Sequence, residues 1–208
     1  MSVTGLVLAA GGSRRLGRPK QLLPVGDRTL LDATLSTVRR CGLDQVVVAV
    51  GGAADAVLEA VDLGGCDVVR NDAYGAGCSS SISAALPVIE PSAEGIVLFL
   101  GDQPLVQPST VLALVTQART ADLAVCSYDD GLGHPFWLGR GLFDRLATLH
   151  GDKAVWKLVD AAGDALVTVA VPGAVPVDVD TEADYERLLG QLGRGHGVAE
   201  PNCLSSAR

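Results

Sequence analysis

Aromatic residues are scarce in this chain. Two Trp, three Tyr and three Phe are spread over 208 residues, alongside one Met and three His. His134, His150 and His196 show no ligand-like spacing, so a zinc site is not expected. The five cysteines (Cys41, Cys66, Cys78, Cys126 and Cys203) are odd in number and contain no CxxC. That excludes a zinc ribbon and a thioredoxin-type centre and argues against a disulfide framework. Free thiols in a reducing cytoplasm are the expectation. No segment approaches the ~20 consecutive apolar residues of a membrane span. The longest uncharged late stretch, 165–177, is broken by Pro172 and Pro176. An apolar run at 3–10 is followed by arginines, whereas a secretory signal places its positive charge first. A cytoplasmic protein without a membrane partner is therefore expected.

Cations are also in deficit. Sixteen Lys+Arg against 24 Asp+Glu give a net charge of −8, which disfavours a nucleic-acid partner. The deficit is uneven. Residues 1–40 hold Arg14, Arg15, Arg18, Lys20, Arg28, Arg39 and Arg40 against Asp27 and Asp32, a local surplus of five positive charges. A basic start on an acidic body predicts one local anion site, with Arg39 and Arg40 read instead as solvated charges ending a helix.

Forty-eight per cent of the residues are hydrophobic, and the length suits a single domain. Short β-branched runs alternate with helical patterns. Strands are expected at 3–9, 45–50, 67–70, 95–100, 121–127, 165–171 and 175–179. Helices are expected at 29–41, 53–61, 79–88, 108–120, 141–149, 152–162 and 182–189, the last capped by Thr181. Continuously apolar strands alternating with helices predict a three-layer α/β/α, Rossmann-like domain around a mostly parallel mixed sheet. The domain is expected over 1–190. Residues 191–208 lose apolar periodicity and read as a flexible tail. In such sheets ligands bind beyond the carboxyl ends of the strands, which points to the segments 10–20, 71–78 and 101–107.

The segment Leu8-Ala9-Ala10-Gly11-Gly12-Ser13-Arg14-Arg15-Leu16-Gly17-Arg18-Pro19-Lys20 places glycines and cations just past the first strand. Small residues let backbone N–H groups approach a polyanion, and the cations neutralise it. The segment is neither a Walker A loop nor GxGxxG. Asp102, in Gly101-Asp102-Gln103-Pro104, follows the most apolar strand, where a turn projects a carboxylate over the sheet edge. It is the first candidate ligand for a phosphate-bound Mg²⁺, which needs only one or two protein carboxylates. Asp178 and Asp180 form a D-x-D pair, and Asp180-Thr181 equally suits a cap of the final helix.

LAAGGSRRLGRPKQLLPV resembles the signature of the molybdenum cofactor cytidylyltransferase and guanylyltransferase family, with Leu16 where Met is usual. The resemblance continues in order through Asn71 and GAGCSSSISAAL, GDQP at 101–104, GHP at 133–135 and VDVDTEADY at 177–185. It implies a GT-A-like nucleotidyltransferase fold. It also implies Leu8, Ala9 and Ala10 beside the base and ribose, and Gly11, Gly12, Ser13, Arg14, Arg15 and Lys20 on the triphosphate. Asn71 would be a further nucleotide contact. Ser79, Ser80, Gln103 and His134 would lie on the acceptor side, with Asp102 and Asp180 as Mg²⁺ ligands. Alanine at position 10 is the cytidylyl-type residue, so CTP is favoured over GTP by one methyl group. The implied acceptor is the terminal phosphate of the molybdenum cofactor, and a molybdenum hydroxylase would receive the product. That acceptor is already an anion, so no general base is required. Lys20, Arg15 and Asp102 would act by positioning and charge neutralisation.

One segment departs from the pattern. The GDxGAR-like stretch reads Gly151-Asp152-Lys153-Ala154-Val155-Trp156-Lys157, with Ala154 and Trp156 in the glycine and arginine places. Three other readings remain: an NAD(P)H-dependent oxidoreductase on a related fold, a non-catalytic molybdenum cofactor carrier, and a nucleotidyltransferase using GTP or a sugar-phosphate acceptor.

Overall fold

The computed structural model describes residues 2–13 and 15–195. Arg14 and the segment 196–208 lie outside the described residues. In chain order the elements are β1 (Ser2–Ala9), β2 (Pro24–Val25), β3 (Arg28–Thr29), α1 (Leu30–Arg39), β4 (Gln45–Val50), α2 (Ala54–Ala60), β5 (Asp67–Arg70) and α3 (Cys78–Ala85). There follow β6 (Ala93–Leu100), α4 (Pro108–Ala118), β7 (Leu123–Tyr128), β8 (Gly131–Gly139), α5 (Phe143–Ala147), α6 (Ala154–Ala162), β9 (Val167–Ala170) and α7 (Glu182–Gly195). Among the described residues a seven-stranded sheet runs β5-β4-β1-β6-β8-β7-β9, and β2 and β3 form a separate ribbon. All pairings in the large sheet are parallel except those of β8, which is antiparallel to both β6 and β7.

Side-chain alternation places the core on both faces of this sheet. Val3, Val7 and Ala9 of β1 and Val97 and Phe99 of β6 pack with α1, α2 and α4. Leu6 of β1 and Ile96 and Leu98 of β6 pack with α3, α5 and α6. The result is the expected three-layer α/β/α arrangement, a mixed and mainly parallel sheet between helices. A third cluster (Leu23, Leu30, Val179, Tyr185 and Leu188) joins α7 to the start of α1, and Leu192 packs against it. Helix α7 thus continues to Gly195 instead of closing near 189. No described helix is long and apolar enough to cross a membrane.

Two other expectations change. Strand β8 is not evident in the sequence because Gly131, Gly133, Pro135 and Gly139 interrupt it. Gly133 is needed for close approach: a Cβ there would lie 2.7 Å from Val175 Cγ1. In the β7–β8 pairing, Val125 faces Phe136 while Cys126 faces Gly133, so His134 and Pro135 occupy a bulge. Bulges of this kind re-aim side chains, and this one presents His134 to the site described below. Conversely, 175–179 forms no strand. Pro176 lacks an N–H, and side chains hold the segment instead. Val175 N–H donates to Asp130 Oδ1 at 2.8 Å, and Gln103 Nε2 donates to Pro176 O at 3.0 Å. Val179 N–H donates to Asp102 Oδ2 at 3.0 Å.

Candidate active site

A cavity of about 550 Å³ opens beyond the carboxyl ends of β1 and β6. All three segments singled out from the sequence contribute to its wall. Ala10, Gly11, Arg15 and Lys20 come from the first, Tyr74, Gly77 and Cys78 from the second, and Asp102 from the third.

The first loop is held by its own side chains. The Ser13 hydroxyl accepts the Lys20 backbone N–H at 2.8 Å. The buried Gln21 amide donates to Ala9 O at 2.7 Å and Gly11 O at 3.0 Å, fixing the path that carries the glycines over the sheet edge. Gln21→Ala leaves both carbonyls without this donor, at a cost of about 1 kcal/mol or more. The expected result is a substrate KM raised about fivefold with kcat little changed, read by steady-state kinetics. An unaltered KM would show that Gln21 does not order the loop.

The Lys20 ammonium lies between two carboxylates, donating to Asp102 Oδ2 at 2.6 Å and Asp180 Oδ1 at 3.2 Å. Arg15 donates to the second oxygen of Asp180 at 2.6 Å. Burial alone would lower the Lys20 pKa, but Asp102 and Asp180 outweigh it and hold the ammonium above its ordinary value. Asp102 is buried, and its turn is fastened from below: Thr34 of α1 donates to Gly101 O at 3.0 Å and Thr37 to Pro104 O at 2.9 Å. The cap of α7 belongs to Thr181 and Asp184. Asp184 N–H donates to the Thr181 hydroxyl at 3.2 Å, and Thr181 N–H donates to Asp184 Oδ2 at 2.9 Å. The Asp180 carboxylate is thereby left to the site. Asp178 also lines the cavity. Burial pushes its carboxyl up to about 6, with Asp102 adding to the effect and Lys20 opposing it.

Two carboxylates converging on one cation suit a hard divalent ion that takes its remaining oxygens from phosphates. Among the described residues no three His, Cys, Asp or Glu side chains gather into a metal-holding group. Asp102 and Asp180 are the carboxylates that Lys20 bridges at this point of the cavity.

The sequence-predicted residues divide in three. Leu8, Ala10, Gly11, Arg15, Lys20, Asp102, His134 and Asp180 line the main cavity. Gly12 and Ser13 line an adjoining one of about 340 Å³ that shares Gly11, Arg15, Lys20, Tyr74, Asp152 and Asp180 with it. The rest support the walls. Ala9 is buried against the core, and Gln103 donates to Asp178 Oδ1 at 2.5 Å beneath the site. Asn71 donates to Ser80 Oγ at 2.8 Å and Ser81 Oγ at 2.9 Å and accepts Ala73 N–H at 3.0 Å, bracing the 71–80 turn. Ser79 is buried, and the Ser80 hydroxyl donates within the turn, 2.8 Å from Gly77 O. Neither Ser79 nor Ser80 lines the main cavity in this arrangement. At the start of α3, Cys78 and Ser81 are three apart and share the cavity face, and the two serines between them do not. Gly77, at φ +101°, lets this helix start meet 151–152; a Cβ would lie 2.5 Å from Gly151 C. Arg18 turns away, donating to both Glu182 oxygens at 3.0 and 3.1 Å with its guanidinium over Tyr185.

Sequence reasoning missed Tyr74, Phe136, Asp152 and Lys153 as wall residues. The signal for Tyr74 was faint, a lone aromatic ring in a glycine-rich turn, yet it is 40% exposed beside the first loop.

His134 stacks on Phe136 with ring centroids 4.2 Å apart and an interplanar angle of 31°. Burial lowers its pKa to about 4. As pH falls from the ordinary 6.5 towards 4, the unfolded chain takes up this proton before the folded one. The contribution to stability is therefore full above 6.5 and declines through that window. Asp178, raised to about 6, acts in the opposite sense, favouring the fold at low pH and losing that contribution as pH rises from 3.8 through 6. His134→Phe should lessen the loss of stability between pH 7 and 4.5 by on the order of 2 kcal/mol, measured by urea unfolding at both pH values. An unchanged difference between the two midpoints would refute the burial argument.

Comparison with known proteins places this geometry. The chain is 33% identical over 206 residues to nicotine blue oxidoreductase from Paenarthrobacter nicotinovorans, covering 90% of this chain and 96% of that one. Among solved structures, Rv0371c from Mycobacterium tuberculosis H37Rv in complex with manganese is 49% identical, with a TM-score of 0.82 over 91% of this chain and 99% of that one. A nucleotidyl transferase from Methanothermobacter is 26% identical, with a TM-score of 0.77 over 93% and 99% of the two chains. Residues 5–166, from the first strand to the end of the helical segment after Trp156, match the MobA-like NTP transferase domain. The glycine loop, Lys20 and Asp102 all lie inside that span, and the chain belongs to the MobA-like NTP transferase family, with nucleotidyl transfer as its reaction class.

Proposed function

We propose that the protein transfers CMP from CTP to the terminal phosphate of the molybdenum cofactor in the cytoplasm, releasing pyrophosphate and the cytosine dinucleotide form for a molybdenum hydroxylase. The observation that carries this reading is the convergence of Lys20 and Arg15 on Asp102 and Asp180 in one cavity beside the glycine loop. The acceptor phosphate oxygen forms a bond to the α-phosphorus as the α–β anhydride bond breaks. Pyrophosphate leaves with the bonding electrons. Asp102 and Asp180 would hold a divalent cation, Mg²⁺ or Mn²⁺, which would supply charge neutralisation during the transfer. Lys20 and Arg15 exchange carboxylate partners for phosphate oxygens and orient the triphosphate. Ala10, in the cavity wall, carries the methyl group that favours cytosine over guanine.

The test is pyrophosphate release with CTP, GTP, ATP and UTP, with and without molybdenum cofactor, in Mg²⁺ and in Mn²⁺. Turnover of CTP that requires the cofactor is expected. Replacement of the cofactor by a sugar phosphate would overturn the acceptor, preference for GTP would overturn the nucleotide, and cofactor binding without pyrophosphate would indicate a carrier. The likeness to nicotine blue oxidoreductase supports a second reading, reduction with a nicotinamide cofactor. Against it, β4 ends at Val50 and is followed by Gly51 and Gly52, where a dinucleotide site would need an acidic side chain for the ribose. Following nicotinamide absorbance in the same mixtures distinguishes the two.

A further inference from the structure

Asp102 and Asp180 meet at the Lys20 ammonium, yet they are delivered there by different means. Asp102 sits in a turn that α1 fastens on both sides, through Thr34 on Gly101 O and Thr37 on Pro104 O. Asp180 arrives on a stretch with no such backing. Residues 171–181 form neither strand nor helix, and Pro172 and Pro176 have no N–H to offer a neighbouring strand. Two adjacent residues of the Asp102 turn hold this stretch just before Asp180. Asp102 Oδ2 accepts Val179 N–H at 3.0 Å. Gln103 reaches two further points, its Nε2 donating to Pro176 O at 3.0 Å and to Asp178 Oδ1 at 2.5 Å. Gln103 is 2% exposed and does not line the cavity. Its Oε1 is buried with no partner among the described residues, and an unpaired buried acceptor carries a desolvation cost. An apolar side chain of the same length would fill the space without that cost. What the amide alone supplies is a pair of donated hydrogen bonds across the gap between the turn and the 176–180 stretch.

We infer that Gln103 is the positioning residue that sets the separation of Asp102 and Asp180, by holding the 176–180 stretch against the turn after β6. The task of the two carboxylates rests on the nucleotidyl-transfer reading, and the tie between their segments does not. Gln103→Glu replaces both donated hydrogens with a carboxylate facing Pro176 O and Asp178. Repulsion releases the stretch and lets Asp180 drift from Asp102. Adding Asp178→Asn restores one of the two hydrogen bonds with its direction reversed, because the asparagine amide can donate to the introduced carboxylate. The charge of the pair is then the same as in the wild type.

The experiment compares the full-length wild type, Gln103→Glu and the double variant Gln103→Glu/Asp178→Asn by two readings. Hydrogen exchange followed by mass spectrometry reports on the peptide covering 175–182. Electron paramagnetic resonance of free Mn²⁺ reports binding of the metal alone, without nucleotide. Gln103→Glu should speed exchange in that peptide while β1 and β6 keep their protection. It should also weaken Mn²⁺ binding by about tenfold or more. The double variant should recover most of both. Mn²⁺ binding that is equal in wild type and Gln103→Glu, or undetectable in the wild type, would overturn the inference. So would faster exchange throughout the sheet without recovery in the double variant, which marks a general loss of stability. Pyrophosphate release is measured alongside. Gln103-dependent Mn²⁺ binding and exchange with no release would leave the tie standing and defeat the transferase reading. Normal release by the wild type with no effect of Gln103→Glu would do the reverse.

Discussion

Lys20→Ala is expected to lower pyrophosphate release by about a thousandfold, the scale of losing a charged donor aimed at developing transition-state charge. The same change should destabilise the fold. The Lys20 side chain is 20% exposed and that of Asp102 only 4%, so removing the ammonium leaves a buried carboxylate without its cation. Breaking a pair of this kind costs about 3 kcal/mol. The two effects can be separated. Asp102→Asn in the Lys20→Ala background should recover most of the stability, because the orphaned charge is gone while the amide oxygen still accepts the Val179 N–H, and none of the activity. Thermal unfolding and a pyrophosphate assay on the single and double variants provide the readings. Near-wild-type turnover by Lys20→Ala would remove Lys20 from the phosphate site.

Asp102→Asn addresses the metal with little change of shape. The asparagine carbonyl oxygen still accepts the Val179 N–H, and Thr34 and Thr37 still fasten the turn from α1. The fold should therefore persist, with Tm lowered by a few degrees. The lost charge removes one of two carboxylates available to a divalent cation. Release should fall by about 10²- to 10³-fold, and the metal concentration for half-maximal rate should rise. Full Mg²⁺-dependent release by this variant would defeat the assignment. Asp180→Asn should act in the same direction more weakly, because Asp180 is 41% exposed and water can substitute in part.

Much of this was legible in the sequence. The continuously apolar β1, β4 and β6 announced a sheet covered on both faces, and β5 matched its expected bounds of 67–70. Glycines and cations after β1 and an aspartate after β6 marked the sheet edge where the cavity lies. Strand β8 escaped because its residues answer to tertiary demands: Gly133 makes room for Val175, and the bulge at His134 and Pro135 breaks the alternation that reveals a strand. The segment 175–179 misled for the converse reason, being β-branched in composition but anchored by Asp130, Gln103 and Asp102 side chains rather than by a neighbouring strand.

The residue types around Lys20 and their approximate location were thus determined by the sequence alone, because periodicity fixes which strands are buried and a parallel sheet collects its loops at one edge. Only the tertiary structure decided which side chains share a space. It placed Lys20 between two carboxylates 82 and 160 residues away. It assigned the cap of α7 to Thr181 and Asp184, leaving Asp180 to the site, and turned Arg18 away to Glu182. It also brought Phe136 and Trp156 to a right angle across twenty residues of chain. Such meetings depend on how separate elements pack, and local pattern carries no record of an angle between rings on a strand and a helix.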